Sequence, residues 1–243
     1  MIGGQLMSKL FAKPLGALLK LVFDLVSKIG TEPEHISFYA IAIIITTIIF
    51  KFILLPIGLK QTKSMSKMQK IQPELKELQD KYKDDPQTLQ AKTMKIYKEN
   101  NVNPFSGCLI LIIQLPIILG FFKALRDPIT YVFKDPKMYE ALNKVFLWIP
   151  NLEKPDPYMW GLPLLAGLTT FLQSRLMSSQ AAPNDQAAST QKTMNIILPL
   201  MIWWSARAFP AGLALYWTIS NTFQIVQQII TNRSLGEIKE ESN

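Results

Sequence analysis

The feature that most constrains this chain is a set of apolar blocks, each about as long as a bilayer is thick. A helix rises about 1.5 Å per residue, so roughly 20 consecutive apolar residues cross the hydrocarbon core. Five blocks approach that length, at 36–59, 104–126, 158–179, 193–208 and 211–230. Between them lie a lysine-rich segment at 60–103, a mixed segment at 127–157 and a loop at 180–192, and a tail at 231–243 follows. Only Phe209 and Pro210 separate the last two blocks, so the chain has to turn tightly there. In lipid every backbone group needs an internal partner, which helices supply. The expected fold class is an all-α polytopic membrane protein with five transmembrane helices.

Charge placement orients these spans. Segment 60–103 carries ten lysines against six acidic residues, whereas 127–157 carries four lysines against five. Positive residues are retained in the cytoplasm, so 60–103 is expected inside and the topology is N-out/C-in. The formal charge of +8 is interleaved with acidic and apolar residues rather than gathered beside aromatics, so no nucleic-acid partner is expected.

Several chemistries lack their ingredients. Cys108 is the sole cysteine and His35 the sole histidine, and no acidic pair lies inside an apolar block. The usual zinc site, Ser-His-Asp triad and carboxylate dyad are thereby missing, as are phosphate-binding motifs. No catalytic residue, metal or cofactor is expected.

Two stretches outside the spans read as amphipathic interfacial helices. Within 1–35, Lys20, Asp24 and Lys28 recur every fourth residue and make one polar stripe. Leu18, Leu21, Val22, Leu25 and Ile29 form the opposite face, suited to the outer membrane interface. No small-residue cleavage site clearly follows, so the stretch is read as a helix rather than a cleaved signal. In 127–157, Met138, Leu142, Val145, Phe146 and Ile149 give a second apolar side, with Trp148 as an interface anchor.

Segment 60–103 reads as an antiparallel helical hairpin. Asp85 is the expected N-cap and Pro86 the first residue of its second helix. Leu75, Leu78 and Tyr82 share one face of the first helix, and Leu89, Ile96 and Tyr97 one face of the second. Pro73 either kinks the first helix or starts a new one.

Polar residues inside the apolar blocks carry the functional signal. Lys51 lies within the first span, where an ammonium costs roughly 2.5–3.5 kcal/mol. It is nine residues from Lys60, about 13 Å, a long reach for a side chain seeking the surface. Thr47 shares its helix face. Gln114 lies near mid-depth in the second span and Gln173 near the cytoplasmic end of the third, while Trp217, Asn221, Gln224 and Gln228 align along the fifth. With the topology applied, nearly all of these fall in the cytoplasmic half. A channel or transporter wants polar groups continuing across, or a midplane site between repeats. The pattern instead describes a positive, hydrated dent open to the cytoplasm and stopping part way.

Four stretches, "KFILLPIGLKQTKSMSKMQKIQPELKELQDKYKDD", "NPFSGCLILIIQLPIILGFFKALR", "FLWIPNLEKPDPY" and "FPAGLALYWTISNTFQIVQQ", occur in one order over about residues 31–232. The chain thereby resembles the bacterial YidC membrane protein insertase family, in the short form without a large periplasmic domain. The resemblance implies a five-helix core in the plasma membrane, with a hydrophilic groove open to cytoplasm and lipid and closed outside. It implies that Lys51 receives hydrophilic or acidic segments, at a position where arginine is common, and that Gln173 and Trp217 line the groove with it. Lysine keeps the charge but lacks the bidentate fork. The implied partners are nascent membrane proteins and membrane lipid, with the Sec translocase, targeting components and the ribosome as further candidates that meet the hairpin arm. Neither lipid anchoring at a lipobox cysteine nor ribosome binding through a long basic tail, as in some relatives, is expected. Two rival functions remain: a membrane chaperone or assembly factor acting with a translocase, and a small-solute transporter.

Overall fold

The computed structural model describes residues 8–103, 106–178 and 185–240. It is all-helical: no β-strand occurs among the described residues, only isolated bridges at Ile36, Phe146 and Ile149. A π-helical turn, Ser8–Ala12, leads into α1 (Lys13–Val26), followed by α2 (Phe38–Lys81), α3 (Pro86–Glu99) and α4 (Ser106–Arg126). A second π-helical turn, Ile129–Phe133, and the short α5 (Pro136–Glu140) precede α6 (Leu162–Ser178), α7 (Asp185–Ala206) and α8 (Ala211–Glu240).

Side-chain contacts give the relative directions of the helices. Ile43, early in α2, meets Gly212, early in α8, and Thr62 further along α2 reaches Gln228 further along α8, so these two run parallel. Thr170 and Gln173 of α6 meet Trp217 and Gln224, which makes α6 parallel to them. Phe121 near the end of α4 stacks on Tyr216 near the start of α8, with centroids 4.0 Å apart, so α4 runs the opposite way. Helix α7 is also reversed, and it lies close to α6: a Cβ at Gly167 would come within 2.8 Å of Trp203 Cβ. A small residue at such a crossing lets two apolar helices approach closely where lipid gives no hydrophobic drive. Helix α6 packs along both α7 and α8, which barely touch each other beyond their joining turn at Phe209 and Pro210.

The main core gathers at one end of these helices. It takes Tyr39, Ala42 and Ile43 from the start of α2, Ile117, Phe121 and Leu125 from the second half of α4, and Leu213, Leu215 and Tyr216 from the start of α8. Helix α1 lies against it through Leu15, Leu19, Val22, Phe23 and Val26. The apolar stripe expected on one face of this helix is therefore divided. Leu18 and Val22 turn to the protein, while Leu21, Leu25 and Ile29 remain exposed, and Lys20 pairs with Asp24.

The segment 141–161 departs from the helix its periodicity suggests. Helix α5 stops at Glu140; Asn143 then turns back to bond Val145 N, Leu147 takes a left-handed φ of 53°, and Pro150 follows. Phe146 and Ile149 are still buried, but from turns. This loop covers the starts of three helices. Val145 O accepts from Ser37 N at 2.9 Å, Lys154 O and Leu152 O from Ala211 N and Gly212 N at 2.8 and 2.9 Å, and Asp156 Oδ2 from Leu162 N at 2.7 Å. The donors at helix starts have no intrahelical partner, so a buried start needs such acceptors. The Trp148 indole, half-exposed, gives its N–H to Asp156 as well.

Other boundaries also differ from expectation: α6 begins at Leu162 rather than at 158, and α7 begins at Asp185, inside the expected loop 180–192. The first span and the first arm of the hairpin are one helix of 44 residues, about 66 Å long, continuing through both Pro56 and Pro73. Helix α8 runs on through the expected tail to Glu240. At the hairpin turn Asp85 accepts from Thr88 N at 3.0 Å with Pro86 opening α3. Met68, Ile71, Leu75, Ile96 and Val102 make a separate small core, flanked by Leu78 and Tyr97. Tyr82 lies under the Lys92 ammonium, 4.9 Å from its ring centroid.

Among the described residues, Phe38–Met68 is the stretch long and apolar enough to cross a bilayer, and only 33% of its most apolar window is buried. A core helix of a soluble protein would be mostly buried. Ile196, Ile197, Leu200, Met201 and Trp204 of α7 are likewise more than half exposed and share one face. Large apolar side chains exposed in rows of this kind suit lipid better than water.

Candidate functional site

Beyond the core, the same helices line a partly open cavity, whose atom-free space of about 700 Å³ includes the open solvent at its mouth. Helix geometry delivers its lining. Lys51, Gly58 and Thr62 of α2, spaced seven and four apart, share one face, and Gln224 and Gln228 do so on α8. Gln114 comes from the first half of α4 and Gln173 from the last turns of α6. Because α4 runs opposite to α2, α6 and α8, all of these residues meet at the end of the bundle away from the core.

The polar side chains satisfy one another. Gln114 Oε1 accepts from Lys51 Nζ at 3.4 Å and from Gln224 Nε2 at 3.2 Å, and Gln114 Nε2 donates to Tyr216 Oη at 3.3 Å. Gln173 Nε2 donates to Gln224 Oε1. In the orientation its neighbours require, the Asn221 amide donates to Gln173 Oε1 at 2.8 Å and accepts from Trp217 Nε1 at 3.1 Å and Thr170 Oγ1 at 2.9 Å. Trp217 Nε1 also reaches Thr170 Oγ1 at 3.0 Å. A hydrogen-bonded path thus crosses four helices, from Lys51 on α2 through Gln114 and Gln224 to Gln173. Leaving such groups unpaired would cost about 1–3 kcal/mol each. Lys51 is 6% exposed, and among the described residues no carboxylate forms an ion pair with it.

Of the eight residues singled out in the sequence, Lys51, Gln114, Gln173, Gln224 and Gln228 line the cavity. Trp217 and Asn221 stand beside it, bonded to Thr170 and Gln173. Thr47 is buried, and its hydroxyl donates to Ile43 O at 2.7 Å, so it presents nothing to the cavity. Sequence reasoning passed over Thr62, Thr170, Gln227 and Tyr216. Thr62 continues the Lys51 face and Gln227 adjoins Gln228, so helical spacing could have found both. Gly58 is where α8 comes near: a Cβ there would lie 2.5 Å from Gln227 Nε2.

Such an arrangement can bind hydrated or charged groups of another chain, since it offers amide donors, amide acceptors and one positive charge. Nothing in it resembles a nucleophile with a base.

Comparison with known proteins identifies the relatives of this arrangement. Residues 32–239 match the sequence model of the family described as 60Kd inner membrane protein. The chain is 40% identical over 208 residues to membrane protein insertase YidC 2 of Listeria innocua, covering 84% of this chain and 67% of that protein. It is 40% identical over 200 residues to membrane protein insertase YidC of Fusobacterium nucleatum, covering 82% and 89%. With membrane protein insertase YidC of Clostridium perfringens it shares 38% identity over 221 residues, 88% of each. On a match that spans nearly the whole all-helical bundle and every helix of the cavity, the chain belongs to the YidC membrane protein insertase family of bacterial inner-membrane proteins.

Proposed function

We propose that the protein inserts nascent transmembrane segments into the plasma membrane, as a five-span N-out/C-in protein whose cavity faces the cytoplasm. The observation that carries this reading is the cavity itself: polar side chains from four helices and one ammonium that pairs with no carboxylate among the described residues, at the end of the bundle opposite its apolar core. A polar tail entering from the cytoplasm exchanges water for amides and for Lys51. Only the core half of the bundle then lies between it and the outer side. A lone charge at mid-membrane costs roughly 2.5–3.5 kcal/mol, so hydration to half depth removes a substantial part of the barrier. The membrane potential adds about 2.3 kcal/mol per negative charge per 100 mV in the outward direction. The apolar part of the client leaves sideways into lipid, with no covalent step. The hairpin of α2 and α3 is the surface we assign to first contact with clients and with targeting components, the Sec translocase or the ribosome.

The test is protease protection of a single-span client with an acidic tail, added to proteoliposomes holding this protein or its Lys51→Ala or Lys51→Arg variant. A charge-assisted hydrogen bond is worth about 1.5–3 kcal/mol, so Lys51→Ala should slow tail protection roughly ten- to hundredfold while Lys51→Arg retains it. Equal protection by wild type and Lys51→Ala would remove Lys51 from the reading. Absence of protection with the wild type would overturn insertion in favour of a holding role beside a translocase.

A further inference from the structure

Lys51 can receive an acidic group only while its charge stays unpaired and turned to the cavity. A buried ammonium has only donors, so whatever faces it must show an acceptor. A carboxylate there would form an ion pair and cancel the charge, and a purely apolar wall would leave the ammonium to swing out of the cavity. Gln114 is neither. Its amide oxygen faces Lys51 Nζ at 3.4 Å, and its amide nitrogen is turned away to Tyr216 Oη at 3.3 Å. The reverse orientation would set an NH₂ against an NH₃⁺.

That orientation is enforced from both sides. Tyr216 is 2% exposed and stacked on Phe121 at 4.0 Å with rings 19° apart, so its hydroxyl is a fixed acceptor. Gln224 Nε2 donates to the same Gln114 oxygen at 3.2 Å, and Gln224 is in turn held by Gln173. The oxygen thus collects donors from α2 and α8 while α4 carries it.

We propose that Gln114 is the positioning residue that aims the Lys51 ammonium into the cavity without neutralising it, and that this neutral acceptor sets the groove's preference for acidic over uncharged tails. The proposal rests on the insertase reading and adds to it the origin of client selectivity. Gln114 acts through Lys51, as a dipole that contributes no net charge of its own.

The experiment uses two clients that differ only in the tail, one with two aspartates and one with two asparagines, in proteoliposomes of the full chain. The readout is the ratio of acidic-tail to neutral-tail protection, which a general loss of fold or of activity does not move. Wild type should favour the acidic tail. Gln114→Glu should bring the ratio to about one or below, because the new carboxylate pairs with Lys51. Gln114→Met, similar in length but without the amide, keeps the charge and loses the aim, so its ratio should fall about threefold, the size of one interhelical hydrogen bond. A wild-type ratio in Gln114→Glu would overturn the proposal. If Gln114→Glu inserts neither tail, Gln114→Met decides: a lowered ratio supports the proposal and an unchanged one sinks it. If wild type itself protects neither tail, the insertase reading has failed instead.

Discussion

Gly16 offers a test in which two effects of known size oppose each other. It lies inside α1 where that helix crosses the turn Ile129–Phe133, and a Cβ at this position would be 2.1 Å from Tyr131 O and 2.7 Å from its carbonyl carbon. Ordinary contact begins near 3.4 Å, so Gly16→Ala requires the two backbones to part by about 1.3 Å. Alanine is favoured over glycine in a helix interior by about 1 kcal/mol, which pushes toward stabilisation. Overpacking costs about 1–3 kcal/mol. The atoms met here are main chain and cannot rotate away, so the upper part of that range applies. The net effect should be destabilisation by about 1–2 kcal/mol, or a fall in Tm of roughly 2–8 °C. Thermal unfolding of the purified protein in detergent, wild type beside Gly16→Ala, measures it. A Tm raised by the full propensity gain would refute the close crossing, since propensity would then be the only effect acting, and an unchanged Tm would place the overpacking at about 1 kcal/mol, the bottom of its range.

Two further outcomes are expected. Leu75→Ala removes a side chain that is 2% exposed from the small core of the hairpin and should cost about 2–3 kcal/mol there. Hydrogen exchange should then quicken roughly thirtyfold or more at Ile71 and Ile96 and stay unchanged at Phe121 and Leu125, and a uniform change would show that the two cores are coupled. Burial alone would raise the Glu153 carboxyl, but the nearby Tyr139 hydroxyl and the Lys144 ammonium, bonded to it at 3.1 Å, outweigh it and hold the group below its ordinary value of 4.5. Its contribution is therefore present above 4.5 and lost as pH falls through the depressed value. Glu153→Gln should flatten the acid side of the stability profile, and parallel profiles for the two proteins would exclude the Lys144–Glu153 pair at 3.1 Å as a source.

The groove glutamines could be found in the sequence because an amide inside an apolar run has few reasons to be there other than a partner. Threonine is ambiguous for a physical reason. Its hydroxyl can bond its own helix alone, as Thr47 does to Ile43, or donate to its own helix and also accept from another, as Thr170 does with Ala166 and Trp217, and the difference depends on neighbours that are distant in sequence. Tyr216 carries no signal in the sequence, where it closes an apolar stretch, and only its stacking on Phe121 shows it to be the anchor of Gln114. Periodicity misled over 138–149, where the apolar spacing suits a helix. The buried residues are set instead by the Asn143 turn, the left-handed Leu147 and bonds to helix starts elsewhere. The proline in the hairpin arm gave no sure boundary either. An exposed helix can carry a proline when the freed carbonyl meets water, and α2 does so at Pro73.

The loop that receives the starts of α2, α6 and α8 has a mechanical consequence. Three rods whose first N–H groups are tied by short hydrogen bonds, to backbone carbonyls for α2 and α8 and to the Asp156 carboxylate for α6, and which are held at the other end by longer side chains, behave like the prongs of a tuning fork. Stiffness is concentrated at the tie and compliance at the tips. A tilt of roughly 10° about the tie moves the far end of a 30 Å rod by about 5 Å, enough to admit a peptide, while the tied end hardly shifts. A displacement of that kind would widen the cavity while leaving the tied end in place.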